Sequence, residues 1–294
     1  MDKTKISMEN ETYKIKYNKH PELIETHGLY GFPYWDCFFP TRVDSVDGLV
    51  YKSVKPFSMI TIASSGCGKT AMVAYLINEH LQDFYHRIII MSETTDSRAN
   101  KHYWSKLDKE KTTLVKDFND IYLQSVFKAQ YYVKEQQGWF ENVLIFIDDF
   151  NVKSKILNNI YAKGRHANIS IIMSLHDVNM ISPMIKQNTY YVMYLKTRGK
   201  FHQILNHFVY PYIDLVDKDD AKIVKDVTSK VLNNPYTALI IETEKAIFNV
   251  FKIPKDKVKF YKTKVTHTKR KQIKNFNFSE YKKVNSLHSS LWRI

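Results

Sequence analysis

A stretch of nineteen residues, Phe57 to Tyr75, limits the folds open to this chain more than any other. Phe57-Ser58-Met59-Ile60-Thr61-Ile62 has the apolar character of a buried strand. Ala63-Ser64-Ser65-Gly66-Cys67-Gly68-Lys69-Thr70 is a loop of small residues, and Ala71-Met72-Val73-Ala74-Tyr75 opens a helix. A strand, a small-residue loop and a helix N-terminus make the setting in which backbone N–H groups cradle phosphates. Gly66 and Gly68 let the backbone wrap closely and point its N–H groups inward. Lys69 sets a flexible cation against the β- and γ-phosphates, and the Thr70 hydroxyl can ligate Mg²⁺. The helix that starts here adds its positive dipole end to the same anion. The usual pattern begins with Gly where this chain has Ala63, the next smallest residue, while Gly68-Lys69-Thr70 is intact. Residues 63–70 are therefore expected to bind a nucleotide, against the plainer alternative of a Gly/Ser turn between strand and helix.

A second stretch supports the first. Asn142-Val143-Leu144-Ile145-Phe146-Ile147-Asp148-Asp149-Phe150 runs apolar and then ends in two carboxylates, 79 residues beyond Lys69. A strand of this kind buries its length and delivers acids at its C-terminal end, where ligands sit in open α/β sheets. Asp148 is expected to hold Mg²⁺, and Asp149 to orient or deprotonate the attacking water. The alternative is a strand that stops in a solvated turn.

Between and beyond these stretches, helical and apolar strand patterns alternate. The helix from Lys69 to about Gln82 shows Met72, Val73, Leu76 and Ile77 on one face. Arg87–Met91 reads as a strand buried on both faces, and Ser92–Asn100 as a polar loop. Asp117–Gln137 reads as a helix with Ile121, Val126 and Phe127 inward, stopped by Gly138. Lys153–Lys163 is helical with Ile156, Leu157 and Ile160 inward. A strand follows at Ile169–Ser174, ending in the polar cluster His176-Asp177 on the nucleotide side. After a turn at Pro183–Gln187 come a strand at Tyr190–Leu195, a helix at Asp217–Leu232, and a strand pair at Thr237–Ile241 and Ile247–Phe251. This order predicts an α/β fold, a mostly parallel central sheet flanked by helices. Three segments are expected: an irregular N-terminal extension (1–50) with two short strands and packing aromatics, or a subunit contact; an ATPase domain (51–251); and a basic C-terminal segment (252–294).

Composition narrows the function classes. No apolar run approaches the roughly 18–20 residues of a membrane helix, and the N-terminus has no signal-peptide pattern. Cys37 and Cys67 cannot build a disulfide framework or a zinc site, which suits a reducing interior; oxidation of Cys67 would block the loop. Of the net charge of +14, residues 251–294 carry +11 (13 Lys/Arg, two acids), leaving +3 for the rest. That basic segment suits a polyanionic partner, with a solvated tail or a protein-docking arm as alternatives. Phe260, Tyr261, Phe276, Phe278 and Tyr281 within it are assigned to packing.

The combination of residues 63–70, Ile145–Asp149 and Gly164-Arg165-His166-Ala167-Asn168-Ile169-Ser170-Ile171-Ile172 resembles one family: the poxvirus-type viral genome-packaging ATPases of the FtsK–HerA superfamily. The resemblance covers about residues 55–200, and Pro183-Met184-Ile185-Lys186-Gln187-Asn188 adds to it. It implies a RecA-like P-loop NTPase that assembles as a homo-oligomeric ring, a hexamer, and drives double-stranded DNA into a preformed capsid. ATP and Mg²⁺ are the implied cofactors, and capsid or portal-vertex proteins the implied partners. The host-cell cytoplasm (virus factory) is the implied location, with the virion a second. By position, Lys69 and Thr70 would bind nucleotide and Mg²⁺, with Asp148 and Asp149 as the Walker B pair. His176 stands where the family often has a Gln that senses the γ-phosphate. Arg165 is the candidate arginine finger for a neighbouring subunit, or else an arginine packed on the sheet edge or paired with an acid. His166 is read as structural.

The same residues bear on other functions. A P-loop helicase or nucleotide kinase lacks its further motifs here, and no acid cluster suggests a nuclease. A nucleotide-gated scaffold with weak hydrolysis is the alternative from another class, because Asp149 stands where a longer Glu is frequent.

Overall fold

The structure, a computed structural model, describes residues 28–29, 32–33, 35, 41–46, 49–94, 100–150, 153–197, 201–208, 228–244 and 247–261. Eight strands form the central sheet: β5 (Ser58–Ile62), β6 (Arg87–Ser92), β7 (Thr112–Val115), β8 (Val143–Asp148), β9 (Ile169–Leu175), β10 (Tyr191–Tyr194), β11 (Thr237–Glu242) and β12 (Ile247–Lys252). Their order is β12-β11-β10-β5-β9-β8-β6-β7. The six strands from β10 to β7 are parallel, and β11 and β12 extend the sheet antiparallel. The α/β arrangement expected from the sequence, a mostly parallel central sheet flanked by helices, is what the chain forms. Between β5 and β8 lies β9, so the loop after β5 and the carboxylates after β8 flank the end of β9.

Both faces of the sheet are covered, which explains the unbroken apolar runs. Along β8, Val143, Ile145 and Ile147 enter one core while Leu144 and Phe146 enter the other. The first core is closed by α2 (Asp120–Gln137), α3 (Lys155–Lys163), the short α4 (Pro183–Gln187) and α5 (Phe201–Phe208). The second is closed by α1 (Lys69–Leu76), the turn Tyr103–Lys106 and α6 (Lys255–Tyr261).

Several sequence expectations need correction. Seven of the eight α1 residues are buried, so this helix has no single apolar face; it is enclosed all round. It also does not run on as α-helix to Gln82, but continues as a π-helical turn, Ile77–Leu81, and a 3₁₀ turn, Gln82–Phe84. α2 begins at Asp120, where Asn119 Oδ1 accepts from Tyr122 N at 2.9 Å, and ends as expected at Gly138, whose φ is 79°. Ile121 does not point inward: it is 79% exposed, while Leu123 is buried and Val126 and Phe127 pack on the core. At 100° per residue Ile121 lies about 140° around the helix from Val126, so the two cannot share a face. Pro183–Gln187 is a helical turn capped by Ser182, and β7 was not foreseen.

The extension contributes a two-residue pair, β1 (Gly28–Leu29) and β2 (Phe32–Pro33), and a hairpin, β3 (Thr41–Val46) with β4 (Leu49–Val54). Trp35 carries the expected aromatic packing: its ring meets Phe251 edge-on, and its backbone N–H donates to Val250 O at 2.7 Å. At the other end, α6 is docked on the π turn, and Tyr261 is fully buried. Phe260 and Tyr261 thus pack as expected; the remaining aromatics of the basic segment, and most of the 217–232 helix, lie outside the described residues. Among the described residues no helix is long and apolar enough to cross a membrane.

Candidate functional site

The loop between β5 and α1 hangs on its neighbours through the backbone: Ala63 N donates to Leu175 O at 3.2 Å and Ser64 N to Lys196 O at 3.4 Å. Gly66 and Gly68 have φ of 76° and 86°. An added Cβ would meet nothing within 4 Å at either, so it is the left-handed conformation that calls for glycine, not lack of space. Gly68 caps α1 without a side chain, leaving the first N–H groups of the helix for an anion. Ala63 is fully buried and its methyl belongs to the core, which accounts for Ala in place of the usual Gly. Ser64, Cys67, Gly68 and Thr70 are half-buried, and Ser65 and Gly66 exposed.

Lys69 is only 4% exposed and bends back over this loop. Its Nζ donates to Ala63 O at 3.3 Å and lies 3.3 Å from Asp149 Oδ1 and 3.0 Å from His176 Nδ1. An ammonium can only donate, so Nδ1 accepts and the ring proton of His176 sits on Nε2, 3.4 Å from Asp149 Oδ1. Asp149 reaches this position with a φ of 59°, a strained conformation for a non-glycine residue. Lys69, Asp149 and His176, drawn from the ends of three different elements, thus form a closed triangle.

Asp148, the last residue of β8, is buried. Its Oδ2 accepts from Thr70 Oγ1 at 2.9 Å and, weakly, from Ser92 Oγ at 3.5 Å; its Oδ1 is buried without a hydrogen-bond partner. Burial, reinforced by the charge of Asp149, pushes the Asp148 carboxyl up to about 6, against the Thr70 and Ser174 side chains and the Lys69 charge, which favour its anion. An orphaned carboxylate oxygen beside a threonine hydroxyl is a donor set suited to Mg²⁺, and a bound cation would reverse that upward shift. The residues therefore fit the metal expected of them.

Arg165 is not part of this cluster. It lies on the 3₁₀ turn Gly164–Ala167 before β9, whereas His176 follows β9, and the seven residues of that strand separate the two by about 20 Å. Its guanidinium is exposed, donates to Tyr190 Oη and stacks over the Tyr190 ring. The turn beneath it is firmly built. Gln130 Nε2 donates to Glu141 O and Ala167 O at 2.6 and 2.7 Å, and Asn168, with a φ of 54°, donates through Nδ2 to Phe140 O. A Cβ on Gly164 would meet the Ile160 side chain at 3.3 Å and Ile169 O at 3.4 Å, which leaves little room to spare. His166 is exposed on the same turn.

Three further polar residues of the site went unread in the sequence: Thr61, Ser92 and Ser174. Each interrupts or ends an otherwise apolar strand, a signal too common to stand out.

With this geometry in view, the chain can be set beside known proteins. A family model described as the poxvirus A32 protein matches residues 50–282. No curated protein matches. Similar solved structures include the genome packaging NTPase B204 from Sulfolobus turreted icosahedral virus 2 in complex with ATP-gammaS, at 15% identity and a TM-score of 0.48, covering 68% of this chain and 98% of that one. The same NTPase in complex with AMP gives a TM-score of 0.49 at 15% identity over the same shares. EssC (ATPases 2 and 3) from Geobacillus thermodenitrificans shares 12% identity, with a TM-score of 0.47, over 72% of this chain and 43% of that one.

Proposed function

The chain belongs to the poxvirus A32 protein family, the genome-packaging ATPases, and from that premise we propose that it drives double-stranded DNA into a viral capsid by hydrolysing ATP. It is an ATP-hydrolysing P-loop enzyme. The observation that carries it is the convergence of Lys69, Thr70, Asp148, Asp149 and His176 at the C-terminal ends of parallel strands.

In this reading the phosphates enter between the loop N–H groups and Lys69, and Lys69 exchanges Asp149 for the β- and γ-phosphate oxygens. Thr70 and Asp148 would hold Mg²⁺, whose charge would screen those oxygens. Asp149, released from Lys69, orients the attacking water. His176 turns its Nε2–H from Asp149 to the γ-phosphate, so that the presence of that phosphate is felt through the same triangle. Arg165, some 20 Å from its own loop, acts on the nucleotide of an adjacent copy in a ring, a hexamer. There it stabilises charge in phosphoryl transfer, worth about 10³–10⁵ in rate. The basic segment 252–294 binds DNA phosphates, capsid or portal-vertex proteins receive the motor, and the host-cell cytoplasm and the virion are where it works.

The test is ATP hydrolysis by the purified protein with and without long double-stranded DNA, at low and moderate salt. Several-fold stimulation by duplex DNA that fades with salt is expected; an unstimulated rate removes the translocase reading. Arg165→Ala should lose turnover only in the assembled state. Removing residues 262–294 leaves buried Tyr261 in place and should flatten the salt dependence of DNA binding. One observation favours a second reading, a nucleotide-gated scaffold: the Lys69–Asp149 pair occupies both the lysine and the water-orienting acid. Tight ATP binding with negligible hydrolysis, DNA present or not, would select it.

A further inference from the structure

Four polar side chains cross the sheet in one line beneath the N-terminus of α1. Ser92 of β6 pairs in register with Asp148 of β8, Asp148 with Ser174 of β9, and Ser174 with Thr61 of β5. Residues in register on neighbouring parallel strands share a face, and the residues two positions earlier (Ile90, Phe146, Ile172 and Met59) all lie in the α1-side core. Thr61 and Ser174 are fully shielded from solvent, Ser92 is 2% exposed and Asp148 4%. Apolar residues would be the cheaper choice in such a layer, because a buried hydroxyl without a hydrogen bond costs about 1–3 kcal/mol.

Within this line, Thr61 Oγ1, Ser174 Oγ and Asp148 Oδ1 have no hydrogen-bond partner. Three orphaned atoms in succession on three adjacent strands are complementary: two hydroxyls that can donate, and one carboxylate oxygen that can only accept. Neighbouring strands lie about 4.8 Å apart, so hydroxyls on them meet their neighbours by rotation about χ1. Ser92 and Thr70 already hold Oδ2. Oδ1 lacks a donor in full hydrogen-bond geometry, and Ser174, whose hydroxyl already lies close enough to favour the Asp148 anion, is the residue beside it.

We propose that Ser174 is a positioning residue for the Mg²⁺-binding carboxylate, donating to Asp148 Oδ1, and that Thr61 stands behind it as donor to Ser174 Oγ. The relay holds the carboxylate at both oxygens, so that metal arrives at a pre-oriented ligand. It ties the position of that ligand to β5, the strand that carries the phosphate loop. This rests on the assignment of Asp148 to Mg²⁺.

The experiment measures half-saturation of ATP hydrolysis by Mg²⁺, nucleotide affinity without metal, and the unfolding midpoint. Wild type is compared with Ser174→Ala, Ser174→Thr, Thr61→Val, the Ser174→Ala/Thr61→Val double variant and Asp148→Asn. Outer partners of metal ligands are worth about 10–100-fold in metal affinity. Ser174→Ala should therefore raise the half-saturating Mg²⁺ about tenfold, with metal-free nucleotide affinity and the midpoint near wild type. Ser174→Thr, which keeps the hydroxyl, should restore it. Thr61→Val should show a smaller rise that disappears in the Ser174→Ala background, the non-additivity expected of a relay. Wild-type Mg²⁺ dependence in Ser174→Ala overturns the proposal. So does a loss of metal-free nucleotide affinity and midpoint that accounts for the whole effect. If Asp148→Asn also leaves the Mg²⁺ dependence unchanged, the metal assignment itself falls, and the relay with it.

Discussion

Two ionic clusters lie at opposite ends of the helical segment that follows the phosphate loop, and they are built for opposite purposes. At its start Lys69 pairs with Asp149, which is 43% exposed, strained at φ 59° and shared with His176. At the π turn, Glu79 accepts from Lys106 Nζ at 2.8 Å, from Lys257 Nζ, and from Tyr261 Oη at 3.0 Å, with its side chain 15% exposed. Around it Asn78 Nδ2 donates to Tyr103 O at 2.7 Å, Tyr103 Oη to Tyr261 O at 3.2 Å, and Lys106 lies over the Phe260 ring. The first cluster uses one contact per partner, on a residue in an unfavourable conformation, and in the function proposed above an incoming phosphate would replace Asp149. The second satisfies a single carboxylate three times over and locks α6 to the core. The extra residue of the π turn falls where Asn78 and Glu79 both meet α6, a local distortion with an identifiable use. Similar chemistry, a lysine beside an acid, thus makes an exchangeable contact in one place and a clasp in the other.

The contrast can be broken most forcefully at the lysine. Lys69→Ala should weaken ATP binding by about a hundredfold, near 2.7 kcal/mol, as read by calorimetry; retained affinity would dissolve the exchange picture. Asp149→Asn should cut turnover by about 10²–10⁴ while ATP binds at least as tightly as to wild type, because Lys69 is no longer engaged. A fall in affinity would show that Asp149 organises the loop rather than yielding to phosphate. Glu79→Gln should lower the unfolding free energy in urea by about 2 kcal/mol and leave ATP affinity unchanged. A nucleotide effect of the same size would merge the two clusters into one.

The smallest effect sharpens the contrast through pH. The hydrogen bonds from Lys106, Lys257 and Tyr261 outweigh burial and hold Glu79 at about 2, below its ordinary value of 4.5. A depressed carboxylate contributes stability that is complete above the unfolded value and is lost as pH falls through the folded one. The loss should therefore appear between about pH 4.5 and 2 in wild type and be absent in Glu79→Gln, measured by unfolding midpoints across that range.

Much of the candidate site's geometry was legible because the chemistry proposed for it demands particular residues in adjacent positions. Gly66 and Gly68 must take positive φ, Lys69 and Thr70 must open a helix, and Asp148-Asp149 must end an apolar strand; these are local requirements, visible as local patterns. Most strands of the central sheet were legible for the same reason, since a layer buried on both faces calls for continuous apolar runs; β7, partly exposed along its length, was not. The inward face of α2 was misread at Ile121, where a loose helical pattern allowed more than one stripe. Glu79 and α6 were invisible: Lys257 is 178 residues away, and nothing at either position announces the other.

By itself, then, the sequence determined the fold class and the phosphate and carboxylate ends of its strands, because those depend on spacings of a few residues. Only the tertiary structure decided that β9 separates β5 from β8 and that Asp149 and His176 close a triangle on Lys69. It alone aligned Thr61, Ser174 and Asp148 in one buried line, and set Arg165 at the opposite end of the sheet. Each of these depends on strand order and register, and those are chosen by packing between segments far apart in the chain.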